Sequence, residues 1–380
     1  MAFVVGPRQV GKTTLCRELV PGCHYLNWDD EDDRAVISRG TAAVAARIGL
    51  EQLRAEPAVL VLDELHKFRR WRTFLKGLFD RHADRLRIVV TGSSRLDFYR
   101  KGGDSLMGRY FPYRLHPLTV GELVNPMPRE QLLREPAPIA PDDWRRLLEH
   151  GGFPEPFVRD DRRFSSRWQR LRQEQLVRGD VRDLTRIQEI DQLALLVRLL
   201  ASRSASQVNY SAFANEIRTS VDTMRRWFDA LCSLYHGFLL RPWFRNVARS
   251  LRKEPKWYLR DWSTIDDAGA RAETFVACHL FKAVQSWEDA GLGTFALHYL
   301  RDKDRREVDF LVVRDDAPWF LVEVKARDEQ LSPSLLHFQA QTGAAHAFQV
   351  VVDAEFVDAD PFARGEPCVV PARTLLSQLT

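Results

Sequence analysis

Along this chain of 380 residues the apolar positions change period twice. Near the N-terminus they come as short unbroken runs: Phe3-Val4-Val5, Val59-Leu60-Val61-Leu62 and Arg87 to Val90, with a further strand at Cys23 to Leu26. Runs without alternation are what strands buried on both faces look like. Between them, Thr13 to Val20 and the Ala-rich segment from Thr41 to Leu53 carry helical spacing. Alternation of strand and helix predicts an α/β domain with a parallel sheet. Beyond residue 141 the pattern turns helical: Trp144 to His150, Ser165 to Leu184, Leu193 to Ala201, and Ser211 to Ile217 with Ser211 as N-cap. Asp222 is expected to cap a further helix through Leu234, with Met224, Trp227, Phe228, Leu231 and Leu234 as its apolar stripe. Strands return at Phe238-Leu239-Leu240 and Trp257-Tyr258-Leu259. A helix from Ala270 to Ala283 and a strand from Thr294 to Leu300 come next. Two runs, Glu307 to Val313 and Trp319 to Lys325, then flank Asp315-Asp316-Ala317-Pro318 as a hairpin.

Prolines divide this pattern. Pro126, Pro128, Pro136, Pro138 and Pro141 crowd a stretch that reads as a junction. The expected layout is an α/β domain over 1–124, a Pro-rich junction and helical linker over 125–189, a helix-turn-helix with a wing over 190–260, and a small α/β domain over 261–380. Hydrophobic residues at 45% and charged residues at 28% suit a soluble globular protein. A net charge of +4 confines any nucleic-acid contact to a local patch. Cys16, Cys23, Cys232, Cys278 and Cys368 form no C-x-x-C, which argues against a zinc knuckle or disulfide framework and for a reducing cytoplasm. No apolar run approaches the roughly 20 residues of a membrane span, and no signal peptide is visible. The chain starts almost inside its first strand, so an N-terminus upstream of Met1 is expected.

The candidate chemistry begins after that first strand. Gly6-Pro7-Arg8-Gln9-Val10-Gly11-Lys12-Thr13-Thr14 fits G-x-x-x-x-G-K-[ST], in the strand–loop–helix context the motif requires. The glycines let backbone N–H groups turn toward a polyphosphate, Lys12 can reach its β and γ phosphates, and Thr13 can ligate Mg²⁺. ATP with Mg²⁺ is therefore the expected cofactor. A second half of the site is expected at the end of the buried strand. Asp63 is placed to hold Mg²⁺ through water, and Glu64 to polarise the attacking water. Asp29 to Asp33 reads as a solvated acidic loop. At Thr91-Gly92-Ser93-Ser94 a polar strand end invites a γ-phosphate sensor, with Ser94 as candidate and a plain turn as alternative. Arg109, after Gly108, is the candidate for stabilising transition-state charge, in cis or from a neighbouring subunit.

Arg241, Arg245, Arg249, Arg252, Lys253 and Lys256 lie between the two later strands against one acid, Glu254. A basic wing over 241–256 beside a helix-turn-helix outlines a DNA-binding surface; the alternative is a winged helix that only packs against other domains. In the hairpin, a turn centred on Asp316 sets Asp309 opposite Glu323 and Glu307 opposite Lys325, all on one face. Carboxylates about 5 Å apart repel by roughly 3 kcal/mol at an effective dielectric near 20, so a cation is expected between them, and Mg²⁺ suits oxygen ligands. Lys325 is placed to orient or deprotonate a water for phosphodiester attack, and Glu273 on the preceding helix completes the set. A salt-bridged surface hairpin is the alternative. Lysine is scarce, with nine in the chain, yet it occupies both positions 12 and 325, where guanidinium is no substitute.

Taken together, the motifs GPRQVGKTTL, LVLDELHKF with Trp71 after it, VVTGSSR, SLMGRYFPYRLHPLT, GGFPEP, the stretch Asn209 to Leu231, and REVDF with LVEVKAR resemble one family over nearly the whole chain. It is the prokaryotic AAA-type ATPases fused to a C-terminal domain of unknown function with a PD-(D/E)xK nuclease-like core. The resemblance implies an ASCE-type P-loop parallel sheet, then a winged helix, then a small α/β PD-(D/E)xK-like domain. It implies that Glu273, Asp309, Glu323 and Lys325 are the helical Glu, the Asp and the E-x-K of such a core. Ser93 or Ser94 stands where the family usually carries a sensor Asn, and the customary segment before the first strand is missing. The resulting expectation is an ATPase coupled to a DNA-facing half with Mg²⁺-dependent nuclease chemistry. The competing reading is a nucleotide-dependent interaction switch whose nuclease-like domain binds protein. Oligomerisation is left open.

Overall fold

The computed structural model describes residues 1–18, 22–92, 106–126, 131–181, 187–244 and 253–379. Ser93, Ser94, Arg245, Arg249 and Arg252 lie outside them. Two compact units divide the chain, Met1–His116 and Pro117–Thr380.

In the first unit, β1 (Ala2–Val5), β2 (His24–Asn27), β3 (Ala58–Asp63), β4 (Leu86–Gly92) and β5 (Phe111–Arg114) make one parallel sheet in the order β2-β3-β4-β1-β5. β4 is interposed between the strand that enters the phosphate loop and the strand that ends in Asp63-Glu64. Leu60, Leu62, Ile88 and Val90 are buried with Ile37, Val44, Leu75 and Leu78 from the covering helices α1 (Lys12–Glu18), α2 (Glu31–Arg39), α3 (Thr41–Arg47) and α4 (Trp71–His82). Helix α3 is shorter than its Ala-rich pattern suggests. The acidic cluster is no loop. Asp30 caps α2 by accepting from the Asp33 N–H, and Glu31, Asp32 and Asp33 form the first turn, where negative charge complements the helix dipole.

The second unit begins with α5 (Val120–Val124), α6 (Pro141–His150), α7 (Pro154–Arg159) and α8 (Arg162–Gln175), which runs on through a π-helical turn to Asp180. The proline-rich stretch is pinned to the C-terminal end of the chain. Ala137 N–H donates to Ser377 Oγ at 3.1 Å, and Arg134 N–H to the Gln378 carbonyl at 3.1 Å. Helices α9 (Ile190–Ser202), α10 (Tyr210–Ile217) and α11 (Val221–Ser233) follow. The caps of α10 and α11 each sit two residues earlier than the pattern suggests, at Asn209 and Ser220 in place of Ser211 and Asp222. The stripe Met224, Trp227, Phe228, Leu231 and Leu234 is buried as expected. A small sheet, β6 (Ser206–Gln207), β7 (Gly237–Leu240) and β8 (Lys256–Leu259) in the order β6-β8-β7, covers it.

After the 22-residue helix α12 (Ala268–Asp289) comes a second five-stranded sheet. Strands β9 (Phe295–Arg301), β10 (Glu307–Arg314) and β11 (Ala317–Lys325) are antiparallel; β12 (His346–Val351) and β13 (Cys368–Pro371) then join parallel, in the order β13-β12-β11-β10-β9. Alternation sends Phe310, Val312, Phe320 and Val322 into the large core that α12 shares. Val308, Leu311 and Leu321 go to the opposite face, under α13 (Pro333–Thr342). A last helix, α14 (Ala372–Ser377), closes the unit. Among the described residues no helix is long and apolar enough to cross a membrane.

Candidate functional site

The sequence points to two sites, one in each unit. In the first, residues 6–11 turn between β1 and α1. A Cβ on Gly6 would stand 2.2 Å from the Leu115 carbonyl oxygen, so no side chain fits there. Gly11 has φ +97°, a left-handed value that costs other residues, and Gln9 at φ 62° shows how tightly the loop is wound. Lys12, buried, donates from Nζ to the carbonyls of Gly6 at 3.0 Å and Pro7 at 2.7 Å, which holds the ammonium within the turn. Pro7 and Val10 are buried; Gln9 and Thr14 are exposed.

Asp63 ends β3 beside this loop. Thr13 donates its hydroxyl to Asp63 Oδ2 at 2.8 Å, so loop and strand meet here. Two further hydroxyls complete this environment. The Tyr25 hydroxyl on β2 donates to the same oxygen at 2.5 Å, and the Thr91 hydroxyl on β4 donates to Oδ1. Burial by itself would raise the Asp63 pKa. Hydrogen bonds from Thr91, Tyr25 and Thr13, with the Lys12 charge, outweigh it and hold the carboxylate ionised. Thr91 belongs to the polar strand end already suspected as a sensor, two residues before Ser93. Nothing in the run Cys23-His24-Tyr25-Leu26 marks Tyr25 as a partner of Asp63. Glu64 follows in the left-handed region at φ 52°, with Oε2 3.4 Å from Lys67 Nζ and 3.7 Å from His66 Nε2. A non-glycine residue held there stores about 1–3 kcal/mol of strain, a pattern that recurs where function fixes the backbone. Arg109 pairs with Asp80 of α4, Nε to Oδ1 at 2.7 Å and Nη2 to Oδ2 at 3.3 Å, so a role at phosphate would require leaving that carboxylate.

In the second unit, the hairpin turns at Asp315-Asp316, both at positive φ, 48° and 64°, with Arg314 paired to Ala317. That is the two-residue geometry matching strand twist. Its centre lies half a residue from the expected one, and a bulge at Val312/Val313 restores the register to Phe310 opposite Val322. One pair further along, Asp309 meets the strand carrying Glu323, and its Oδ2 accepts the Val324 N–H at 2.8 Å. A second irregularity between Val308 and Leu311, in the pairing with β9, falls on Asp309 itself; bulges gather where a strand re-aims a side chain.

A cation does stand among these acids in the structure, the ammonium of Lys256. Lys256, at the start of β8, is buried at 3% exposure. Its Nζ lies 3.0 Å from Glu273 Oε1, 2.5 Å from Glu307 Oε1 and 3.6 Å from Asp309 Oδ1. The assignment of Lys256 to an exposed DNA-binding wing is thereby corrected: a strand buried at every position carries it inward. Of the remaining wing residues within the described chain, Arg241 and Lys253 are exposed. Tyr258, two residues on, donates its hydroxyl to Glu273 Oε1 at 2.7 Å. Lys325 pairs with Glu323 Oε1 at 2.9 Å, and not with Glu307, its expected opposite. Glu323 Oε2 is buried and, among the described residues, has no hydrogen-bond partner. Burial and the neighbouring Asp309 push both Glu273 and Glu323 up to about 7, and burial raises Asp309; burial alone would lower Lys256, but Glu273, Asp309 and Glu307 keep it charged.

This arrangement does not fit a divalent ion. Among the described residues no group of three or more His, Cys, Asp or Glu side chains is disposed to hold one. An ion at about 2.0–2.6 Å from these oxygens would crowd the ammonium; at about 3 Å the repulsion is about 10 kcal/mol at an effective dielectric of 20.

Comparison with known proteins bears on the family of the first domain. Residues 1–124 match the family model of an AAA domain. The first domain is a P-loop AAA-type ATPase domain. The rest of the chain matches two models without assigned roles, a domain of unknown function (DUF8612) over 141–268 and another (DUF4143) over 268–360. Two uncharacterized proteins, from Mycobacterium bovis and Mycobacterium tuberculosis, are each 26% identical over 332 residues, 84% of this chain and 69% of theirs. A solved structure of the Aeropyrum pernix Orc1 protein in complex with DNA aligns over 73% of this chain and 86% of its own at 14% identity and a TM-score of 0.33, a likeness too loose to build on.

Proposed function

We propose that this chain binds and hydrolyses ATP with Mg²⁺ in its AAA-type domain and couples nucleotide state to a DNA-facing C-terminal half. The observation that carries the first part is the contact between Thr13 of the phosphate loop and Asp63 at the end of β3, inside a ring of hydroxyls that keeps the acid ionised. In this reading the loop amides and Lys12 bind the phosphates, while Thr13 and Asp63 hold Mg²⁺. The ion, when bound, neutralises charge that builds on the transferring phosphoryl group. Glu64 orients the attacking water by accepting its proton. Lys12→Ala should abolish tight nucleotide binding. Glu64→Gln should still bind ATP but hydrolyse it at least roughly 100-fold more slowly. Wild-type turnover in purified Lys12→Ala would defeat the assignment.

For the second half we propose a winged helix, α9 to α11 with the sheet β6-β8-β7, and a PD-(D/E)xK-like domain after it. DNA contact would rest on Arg241, Arg245, Arg249, Arg252 and Lys253. Binding should then weaken with salt at a log–log slope of about −0.9 per phosphate contacted on duplex DNA. Charge reversal of Arg249 and Arg252 that left affinity and slope unchanged would remove the wing from the interface. Two readings of the carboxylate site remain, phosphodiester cleavage with Mg²⁺ and a non-catalytic binding module. Lys256 among the acids favours the second. Plasmid incubated with the full chain, Mg²⁺ and ATP should stay intact; nicking that disappears in Asp309→Ala would reinstate the nuclease.

A further inference from the structure

The acids around Lys256 come from three elements: Glu273 from α12, Glu307 and Asp309 from β10, with Glu323 behind them on β11. A single nitrogen stands within 2.5–3.6 Å of three of their oxygens. That is the convergence a small cation draws together, at distances that suit an ammonium and its three N–H donors. The lysine is also fixed from behind. Its backbone is paired on both sides, to Leu240 of β7 and to Gln207 of β6, so it belongs to the central strand of its sheet and not to a mobile tip. Its Nζ lies 5.6 Å from the centre of the Tyr299 ring, and Tyr258, two residues on along the same strand, donates to Glu273. One acceptor is left over: Glu323 Oε2, on a residue 8% exposed and with no hydrogen-bond partner among the described residues. The site thus has more anionic oxygen than its ammonium uses.

We infer that Lys256 is the resident cation of this site: its ammonium holds the oxygens of Glu273, Glu307 and Asp309 at ammonium distances, so the native domain excludes Mg²⁺ and Mn²⁺, and removing the ammonium lets these acids close around a divalent ion. The inference deepens the non-catalytic reading above, but it is read by metal binding and not by cleavage, so either can fail alone.

The test is Mn²⁺ binding to the full chain without nucleotide, counted from the loss of the free-ion electron paramagnetic resonance signal. Any ion bound at the phosphate loop is common to all variants. Wild type and Asp309→Asn should bind the same number of ions. Lys256→Met should bind one more, and Lys256→Met/Asp309→Asn should lose that extra ion. A wild-type ion lost in Asp309→Asn would show the lysine does not occupy the site. A folded Lys256→Met that gains no ion would show that the acids do not make one. If Lys256→Met fails to fold in chelator, Lys256→Gln is melted with and without millimolar Mn²⁺. Its Tm should rise by several degrees with the ion while wild type does not move. No rise in Lys256→Gln, or an equal rise in wild type, overturns the inference.

Discussion

The two candidate sites use the same side chain in opposite ways. Lys12 is held by two neutral carbonyls, and the nearest functional acid, Asp63, is occupied by three hydroxyls. Lys256 is held by three carboxylates and is itself the neutralising charge. On the proposed reading, Lys12 serves a ligand and Lys256 serves the fold. Identical chemistry is therefore read differently according to what already surrounds it.

The sharpest way to break this comparison is to remove each ammonium and measure both stability and turnover. Lys256→Met leaves buried acids without their partner, and stripping one member of a buried pair costs about 3–5 kcal/mol. Urea unfolding of the second unit should show that loss in the absence of divalent ions, while ATP turnover of the first domain stays at the wild-type level. Lys12→Met should do the reverse, costing about 1 kcal/mol for hydrogen bonds to two carbonyls and eliminating turnover. Equal destabilisation by the two substitutions would mean that the second lysine is no more structural than the first. Lys325→Met is a smaller control. Its side chain is 35% exposed and pairs with one acid, so about 1 kcal/mol or less is expected.

What could be read from the sequence follows the same division. The phosphate loop is contiguous, and each of its residues has a stereochemical job that its type announces, so Gly6, Gly11, Lys12 and Thr13 were legible without coordinates. The hairpin register around Asp309 and Glu323 was legible too, because alternation fixes which side chains share a face, although a bulge and a half-residue shift in the turn cancelled to produce it. Lys256 was not. It precedes the acids by 17 to 67 positions, ends a basic stretch, and looks like the last residue of a wing. Only the sheet order β6-β8-β7 turns it inward. The warning sign was its place at the head of the apolar run Trp257-Tyr258-Leu259, where a lysine is seldom buried unless paired. Tyr25 was missed for a similar reason, since parallel neighbours in space are far apart in the chain.

The most discriminating effect concerns Glu323. Burial is the main reason its carboxyl is pushed up to about 7 from an ordinary 4.5, with Asp309 adding to it and Lys325 opposing. The folded protein therefore takes up a proton that the unfolded chain has released between those two values. Stability from this group is full below pH 4.5, falls as pH rises toward 7, and is flat beyond. Glu323→Gln keeps the shape and deletes the charge. It should stabilise the second unit by about 1–3 kcal/mol at pH 8, do little at pH 4, and flatten the decline between them, as read from urea midpoints in the presence of Mg²⁺. If Glu323 were a metal ligand in the working protein, the sign would invert, because the substitution would remove a ligand from a loaded site and lower stability at pH 8. Glu323→Gln unfolding at a lower urea concentration than wild type at pH 8 would thus favour a metal site over a lysine-filled one.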